Sequence, residues 1–267
     1  MVTNRHPEDI VSRHFLVRGA LASLALAAAT LLYGSPAHAI ANGEDVADGQ
    51  YQFSAALSMP KITRPDGTSY ASACSGALIA PQWIVSAGHC FHDGARNRIS
   101  GPPRYQVIVT VGQATLSGTD GQRTEVVEVV QQPETDLAVA KLATPVTGIT
   151  PLALSEKAPV KGEVVRLVGW GSKDSAADLT HRPDRMQTGQ MTIARVGAHE
   201  VYVTGYLPSP DTSACPYDSG APYFSEGPDG PKLVSTEISG PSCPHKQNEK
   251  TARVDVIATW IKAQIGG

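Results

Sequence analysis

The chain has 267 residues, of which 41% are hydrophobic and 18% are charged. This length allows one large all-β domain or two modest domains, and the composition excludes disordered and fibrous proteins. The formal net charge is −3, and removing residues 1–39, which hold three arginines and two carboxylates, would leave the remainder acidic. We therefore expect no nucleic-acid partner, because a phosphate backbone attracts basic surfaces.

The first residues have the pattern of an export signal. Arg13 and Arg18 precede an alanine-rich apolar run at residues 20–33, and small residues follow at 37–39. A basic region, an apolar core and a small-residue cleavage site are typical of a secretory signal peptide. The run is too short and too rich in alanine for a permanent membrane anchor. We therefore predict a signal peptide over residues 1–39, an extracellular mature chain, and no membrane contact after signal removal.

Export also determines the expected state of the four cysteines, because an oxidising compartment favours disulfides over free thiolates or zinc ligands. Two bridges are expected. No metal site is expected, because the segment around His89 and His92 has no zinc-ligand spacing that repeats elsewhere in the chain.

Short β-rich segments recur between turn residues along most of the chain. They lie at residues 75–79, 83–87, 105–111, 124–130, 164–168 and 200–204. This pattern predicts an antiparallel all-β protein. A stretch rich in threonine and proline at residues 143–153 suits a crossing between two halves of similar size.

Helical periodicity is convincing only near the C-terminus. Apolar residues recur there at three- and four-residue spacings, in the order Ile257, Trp260, Ile261 and Ile265. Asp255 precedes them as a candidate N-cap. We predict one helix at about residues 255–265.

His89 is the first candidate for catalytic chemistry. A lone histidine more often has a structural role, but this one ends a predicted hairpin that Cys74 and Cys90 bracket. A bridge between these cysteines would fasten the imidazole at a rigid strand end. Acyl transfer from a peptide needs such a base, together with a nucleophile, an orienting carboxylate and donors for an oxyanion.

Three blocks of sequence carry a family resemblance. They are residues 74–90 with His89, residues 135–142 with Asp136, and residues 215–222 with Ser219. In this order they resemble the blocks around the histidine, aspartate and serine of chymotrypsin/trypsin-like serine proteases. The chain thus resembles a secreted, bacterial-type member of that family. The resemblance extends over essentially all of residues 40–267.

The resemblance implies an all-β fold of two six-stranded antiparallel β-barrels followed by a C-terminal α-helix. The N-terminal barrel would span about residues 40–148 and the C-terminal barrel about 149–252. The disulfides would join Cys74 to Cys90 and Cys215 to Cys243.

The resemblance also implies a mechanism in which Ser219 is the nucleophile, His89 the general base and Asp136 its orienting carboxylate. The backbone N–H groups of Tyr217 and Ser219 would form the oxyanion hole. Cleavage after Ala39 would expose Ile40, which looks like the mature N-terminus of the family. Its α-ammonium would pair with Asp218, so that signal peptidase itself would activate the enzyme.

Two departures from the family concern the substrate cleft. Tyr217 stands where the family has a glycine, and a non-glycine residue at an unusual φ costs free energy. Ile238, Ser239 and Gly240 stand where the family has a Ser-Trp-Gly strand, and Ser239 and Gly240 are the expected substrate-binding residues.

Two residues point to different side-chain preferences of the specificity pocket. Ser213, six residues before Ser219, is the expected pocket floor and favours apolar or aromatic side chains. Glu249, if its loop reaches the pocket, favours lysine or arginine instead. The apolar or aromatic preference ranks slightly ahead.

The resulting hypothesis is a secreted serine endopeptidase that is monomeric and needs no cofactor. Its partners would be polypeptide substrates and protein protease inhibitors. The alternative from another class is a protease-like binding protein that is weak or inactive because of Tyr217 and the altered strand. An α/β-hydrolase is disfavoured, because Ser219 has Tyr217 two positions before it instead of the glycine of a nucleophile elbow.

Overall fold

The computed structural model describes residues 40–266, so the predicted signal peptide lies outside the described residues. The described chain contains fourteen β-strands and one α-helix. In chain order these are β1 (Glu44–Asp45), β2 (Ser54–Thr63), β3 (Ser69–Ala80), β4 (Trp83–Ser86), β5 (Ile108–Val111), β6 (Gln122–Gln131), β7 (Ala138–Leu142), β8 (Ala153–Leu154), β9 (Val164–Gly169), β10 (Gln187–Val196), β11 (Glu200–Leu207), β12 (Pro222–Ser225), β13 (Lys232–Ser239), β14 (Glu249–Arg253) and α1 (Ala258–Ile265).

The first barrel is a closed ring of six antiparallel strands in the order β2-β3-β4-β7-β6-β5. Its interior is apolar, and β4 and β7 are buried along almost their whole length. Closure pairs every strand on both sides, so the ring has no free edge. In the β4–β7 pair Ser86 lies opposite Ala138, so the residues after β4 and before β7 emerge at the same end of the barrel.

The second barrel is a ring of β9, β10, β11, β14, β13 and β12, closed by the pairing of β12 with β9. Two short strands extend it, because β1 pairs with β10 and β8 pairs in parallel with β13. Residues 40–45, which sequence analysis grouped with the N-terminal barrel, therefore lie against the second barrel. The expected all-β fold of two six-stranded barrels is confirmed.

The one α-helix of residues 40–266, α1, follows the second barrel. It begins at Ala258, later than expected, because Asp255 forms a bidentate ion pair with Arg253 instead of capping the helix. Ile261 is completely buried and anchors α1 to the core. No helix in residues 40–266 is long and apolar enough to cross a membrane.

Candidate active site

His89 and Asp136 meet because of the strand register described above. His89 lies in a 3₁₀ turn (Gly88–Cys90) just after β4, and Asp136 comes just before β7. The carboxylate makes two hydrogen bonds to the same residue: Oδ1 accepts the backbone N–H of His89 at 2.8 Å, and Oδ2 lies 2.7 Å from its Nδ1. Both position and orientation of the imidazole are therefore set by one carboxylate.

Asp136 is held in its ionised form. Burial by itself would raise its pKa, but the hydrogen bonds and charge of His89, together with the charge of Arg98, outweigh burial and lower the pKa. Arg98 Nε lies 3.7 Å from Asp136 Oδ1. An ionised carboxylate can only accept, so Nδ1 of His89 carries a proton.

Ser219 reaches this site from the loop between β11 and β12. Its carbonyl accepts a hydrogen bond from the N–H of Ser75 in β3 at 2.9 Å, which ties the loop to the first barrel. The next residue, Gly220, has φ +82°, and a Cβ there would collide with backbone and side-chain atoms of the first barrel. Only glycine permits this close approach.

Two cavities meet at Ser219. The first, which we call the His89 cleft, has a volume of about 490 Å³ and is bordered by His89, Tyr217 and Ser219. The second, which we call the Glu237 pocket, has a volume of about 320 Å³ and is bordered by Ser219, Glu237, Ser239 and Gly240. The arrangement places Ser219 at the junction of a cleft that His89 borders and a pocket large enough for a side chain.

Tyr217 has φ +79°, in the left-handed region that L side chains rarely adopt. Its carbonyl accepts a hydrogen bond from Ser75 Oγ at 3.2 Å, and Arg182 lies over its ring with Cζ 5.7 Å from the centroid. The loop therefore holds an unfavourable backbone conformation at Tyr217 instead of relaxing away from it.

Asp218 is completely buried, and two backbone N–H groups donate to it, from Cys215 at 2.9 Å and from Gly171 at 2.8 Å. Burial raises its pKa to about 8, although both N–H groups and the charge of Arg182 favour ionisation. Ile40 is also completely buried, within the apolar cluster of the second barrel. Ala41 and Ser213 exchange backbone hydrogen bonds of 2.9 and 3.2 Å. In this chain the nitrogen of Ile40 is an amide joined to Ala39.

Of the three residues expected to bind substrate, two border a cavity and one is completely buried. Ser239 and Gly240 border the Glu237 pocket. Ser213 is completely buried, and its Oγ donates to Asp211 O and accepts from His245 N. Glu249 begins a strand instead of lying in a loop and is also completely buried.

Both expected disulfides are present, between Cys74 and Cys90 and between Cys215 and Cys243. Cys90 is adjacent to His89, and Cys215 and Cys243 border the Glu237 pocket. Each bridge therefore fastens one wall of the site.

Three charged residues of this site are not predicted by the sequence motifs, namely Arg98, Arg182 and Glu237. Arg98 and Arg182 lie far along the chain from the groups that they approach, and nothing local marks them. Glu237 carried a signal that could have been used, since it is an acidic residue next to Ile238 and near Leu233 and Val234 in the same strand.

The chain is similar in sequence to known proteases. The sequence profile of the trypsin family matches residues 40–261. The chain is 26% identical over 215 residues to the bovine (Bos taurus) suppressor of tumorigenicity 14 protein homolog, and 28% identical over 219 residues to a peptidase of Corynebacterium glutamicum. It is 26% identical over 213 residues to the snake venom serine protease rhinocerase 4 of Bitis rhinoceros.

These matches differ in how much of each protein they cover. They include 72%, 78% and 73% of this chain, and 25%, 66% and 78% of the bovine, bacterial and venom proteins, respectively. This chain thus spans only a quarter of the length of the bovine relative. Since the family profile covers both barrels and the first half of α1, this chain belongs to the trypsin family of serine proteases.

Proposed function

We propose that this protein is a secreted serine endopeptidase that hydrolyses peptide bonds through an acyl-enzyme on Ser219. The observation that carries the proposal is the double hydrogen bond between Asp136 and His89 at the edge of the cleft that Ser219 borders. Family membership supports the same chemistry.

The proposed acylation step uses each group once. His89 Nε2 takes the proton of Ser219 Oγ while Oγ forms a bond to the carbonyl carbon of the substrate. The resulting imidazolium is stabilised by Asp136, and it returns the proton to the leaving amine as the peptide C–N bond breaks. In deacylation, His89 Nε2 takes a proton from water while the water oxygen attacks the acyl carbon. The imidazolium then returns the proton to Ser219 Oγ as the ester bond breaks, which releases the acid product.

The backbone N–H groups of Tyr217 and Ser219 are the proposed oxyanion donors. The positive φ of Tyr217 supports this role, because the backbone retains a glycine-like conformation in the absence of glycine. An oxyanion donor is typically worth about 3 kcal/mol of transition-state stabilisation.

We further propose that removal of residues 1–39 activates the enzyme. The buried carboxyl of Asp218 has a raised pKa because burial is not balanced by an adjacent cation. A new α-ammonium on Ile40, which already lies in the second barrel, would supply that cation and stabilise the loop containing Tyr217.

A fluorophosphonate probe tests the core of the proposal. The mature chain should be labelled, and both Ser219→Ala and His89→Ala should lose the label while keeping the parent's circular dichroism. Failure of the correctly processed wild type to react would favour a protease-like binding protein. Labelling that survives Ser219→Ala would show that the nucleophile is another residue.

A further inference from the structure

The inner wall of the Glu237 pocket contains a pair of buried carboxyl groups. Glu237, on β13, borders the pocket and is 3% exposed, and Glu249, on β14, is completely buried behind Ala214 and Gly240. Two carboxyl groups at this depth are costly unless protons or cations compensate them.

Tyr223 joins the two carboxyl groups. Its Oη is hydrogen-bonded to Glu237 Oε2 at 2.7 Å and also to Glu249 Oε2. A phenol has one proton, so it can donate to only one of the two carboxyl groups and must accept from the other. The carboxyl group from which it accepts is therefore protonated, and the pair holds at least one shared proton.

The hydrogen-bond donors determine which carboxyl group ionises. Glu249 Oε1 accepts the N–H of Ala214 at 2.5 Å, and His245 Nε2 lies 3.5 Å from the same oxygen. Glu237 meets only the phenol of Tyr223 in this pair of contacts, and that phenol can donate to Glu249 while it accepts from Glu237. Because hydrogen bonds to a carboxylate stabilise its charged form, Glu249 carries the negative charge and Glu237 retains the proton.

The surrounding groups do not neutralise that charge. Burial lowers the pKa of His245, so its imidazole is neutral, and neither ring nitrogen forms a hydrogen bond with Glu249. The third carboxyl nearby, Asp218, is an acid and cannot neutralise a negative charge. The positive charge of Arg182 acts on Asp218, whose pKa it lowers. Within residues 40–266, no lysine or arginine forms an ion pair with Glu237 or Glu249.

We propose that Glu237, Tyr223 and Glu249 form a proton-sharing group that binds a basic side chain of the substrate in the Glu237 pocket when Glu249 is ionised, and an uncharged side chain when it is not. The inference rests on the proposed function, since it assigns the side-chain specificity of the same site. It revises the preference for apolar or aromatic side chains that Ser213 suggested.

The direction of the pH dependence follows from burial. Burial and the charge of Glu249 both raise the pKa of Glu237 well above its ordinary value. Burial raises the pKa of Glu249 to about 7, opposed by its hydrogen bonds to Tyr223 and Ala214. The ionised fraction of a group with this pKa rises about tenfold between pH 6 and pH 8. Binding of a cation should rise with it.

Benzamidine, a small aromatic cation, tests the pocket without requiring catalysis. We expect its affinity for the Ser219→Ala protein to rise about tenfold from pH 6 to pH 8 by calorimetry, while benzamide, its neutral analogue, shows no such rise. Glu249→Gln should weaken benzamidine at pH 8 about tenfold or more and remove the pH dependence.

Two further variants make the assignment specific. Glu237→Gln should bind benzamidine within about threefold of the parent, because a glutamine amide can also donate to the pair. Glu226→Gln, which removes a carboxyl outside the pocket, should leave affinity unchanged. Equal affinity of parent and Glu249→Gln would overturn the inference, as would loss of binding only in Glu237→Gln.

Peptide substrates then separate this inference from the proposed function. In an enzyme that reacts with the fluorophosphonate probe, the ratio of kcat/KM for lysine over phenylalanine substrates should rise between pH 6 and pH 8, and Glu249→Gln should abolish the rise. A labelled enzyme with a constant ratio would refute the inference and leave the protease assignment intact. Absence of labelling alongside pH-dependent benzamidine binding would refute the catalytic proposal alone.

Discussion

Arg182 and Asp218 hold opposite ends of a single peptide group. Arg182 Nε donates to the carbonyl of Trp170 at 2.6 Å, and the N–H of Gly171, on the other side of the same peptide bond, donates to Asp218 Oδ1 at 2.8 Å. Aligned hydrogen bonds of this kind polarise one another. The charge of Arg182 therefore favours the ionised form of Asp218. Within the described part of the chain, the two side chains make no direct hydrogen bond.

Replacing Arg182 should destabilise the fold. Arg182→Met keeps the apolar stem but leaves the carbonyl of Trp170 without its charged donor, so we expect the free energy of unfolding to fall by about 1–3 kcal/mol. Denaturant unfolding measures this change. Arg182→Lys retains the charge without the planar donor geometry, so its free energy of unfolding should lie between those of the parent and Arg182→Met. Unchanged stability of Arg182→Met would contradict the role described above.

Replacing Asp136 should impair catalysis far more than replacing the nearby Arg98. In Asp136→Asn the amide cannot fix the Nδ1–H tautomer of His89, and we expect kcat to drop by about 10⁴-fold. Arg98→Gln removes a cation 3.7 Å from Asp136 and its hydrogen bonds to Gln131, Gln132 and Thr135, but it leaves the carboxylate on the imidazole and should cost less than about tenfold. Steady-state kinetics on a peptide substrate give both values. Similar losses in the two variants would mean that Asp136 acts through charge and not through tautomer control.

Replacing Tyr217 by glycine should relieve backbone strain. Its φ of +79° costs an L residue about 1 kcal/mol, so Tyr217→Gly should be more stable by about that amount in thermal or denaturant unfolding. Tyr217→Ala removes the ring but keeps the strain, and it separates the two effects. Activity should remain within about threefold in Tyr217→Gly, because the N–H donor is retained. A large loss of kcat would show that the ring itself contributes to the cleft.

The stability of an unprocessed chain should depend on pH through Asp218. Its pKa in the folded state is raised to about 8 from an ordinary value of 3.8, so the stabilisation by its neutral form is complete at low pH and is lost as pH rises through about 8. A chain with one extra residue before Ile40 should therefore be less stable at pH 9 than at pH 6. Denaturant unfolding at the two pH values measures the difference.

The matched comparison is a chain that begins at Ile40. Its α-ammonium should lower the pKa of Asp218 and so reduce the fall in stability between pH 6 and pH 9. The extended chain should also lack activity. Asp218→Asn in the extended chain should remove the contribution of Asp218 to the pH dependence, leaving those of Glu237 and Glu249. Full activity of the extended chain would refute activation by the new N-terminus.

Local sequence was sufficient for part of the fold. The segments at residues 124–130 and 200–204 are rich in β-branched residues, and both lie in strands. β2 was missed because its first half is rich in alanine and serine and because Pro60 interrupts the pattern. In the structure Pro60 lies at a break in register between Met59 and Ile62, where a missing N–H is tolerated.

Sequence alone determined the all-β class, the two-barrel resemblance and the identity of the residues around Ser219, because these depend on composition, strand periodicity and short motifs. Only the tertiary structure decided which distant charges meet. Strand pairing brings Asp136 to His89, and packing of β12, β13 and β14 buries Tyr223 between Glu237 and Glu249. Ser219 is therefore a nucleophile candidate by sequence, whereas the proposed proton-sharing group beside its pocket depends on burial, which a linear sequence does not specify.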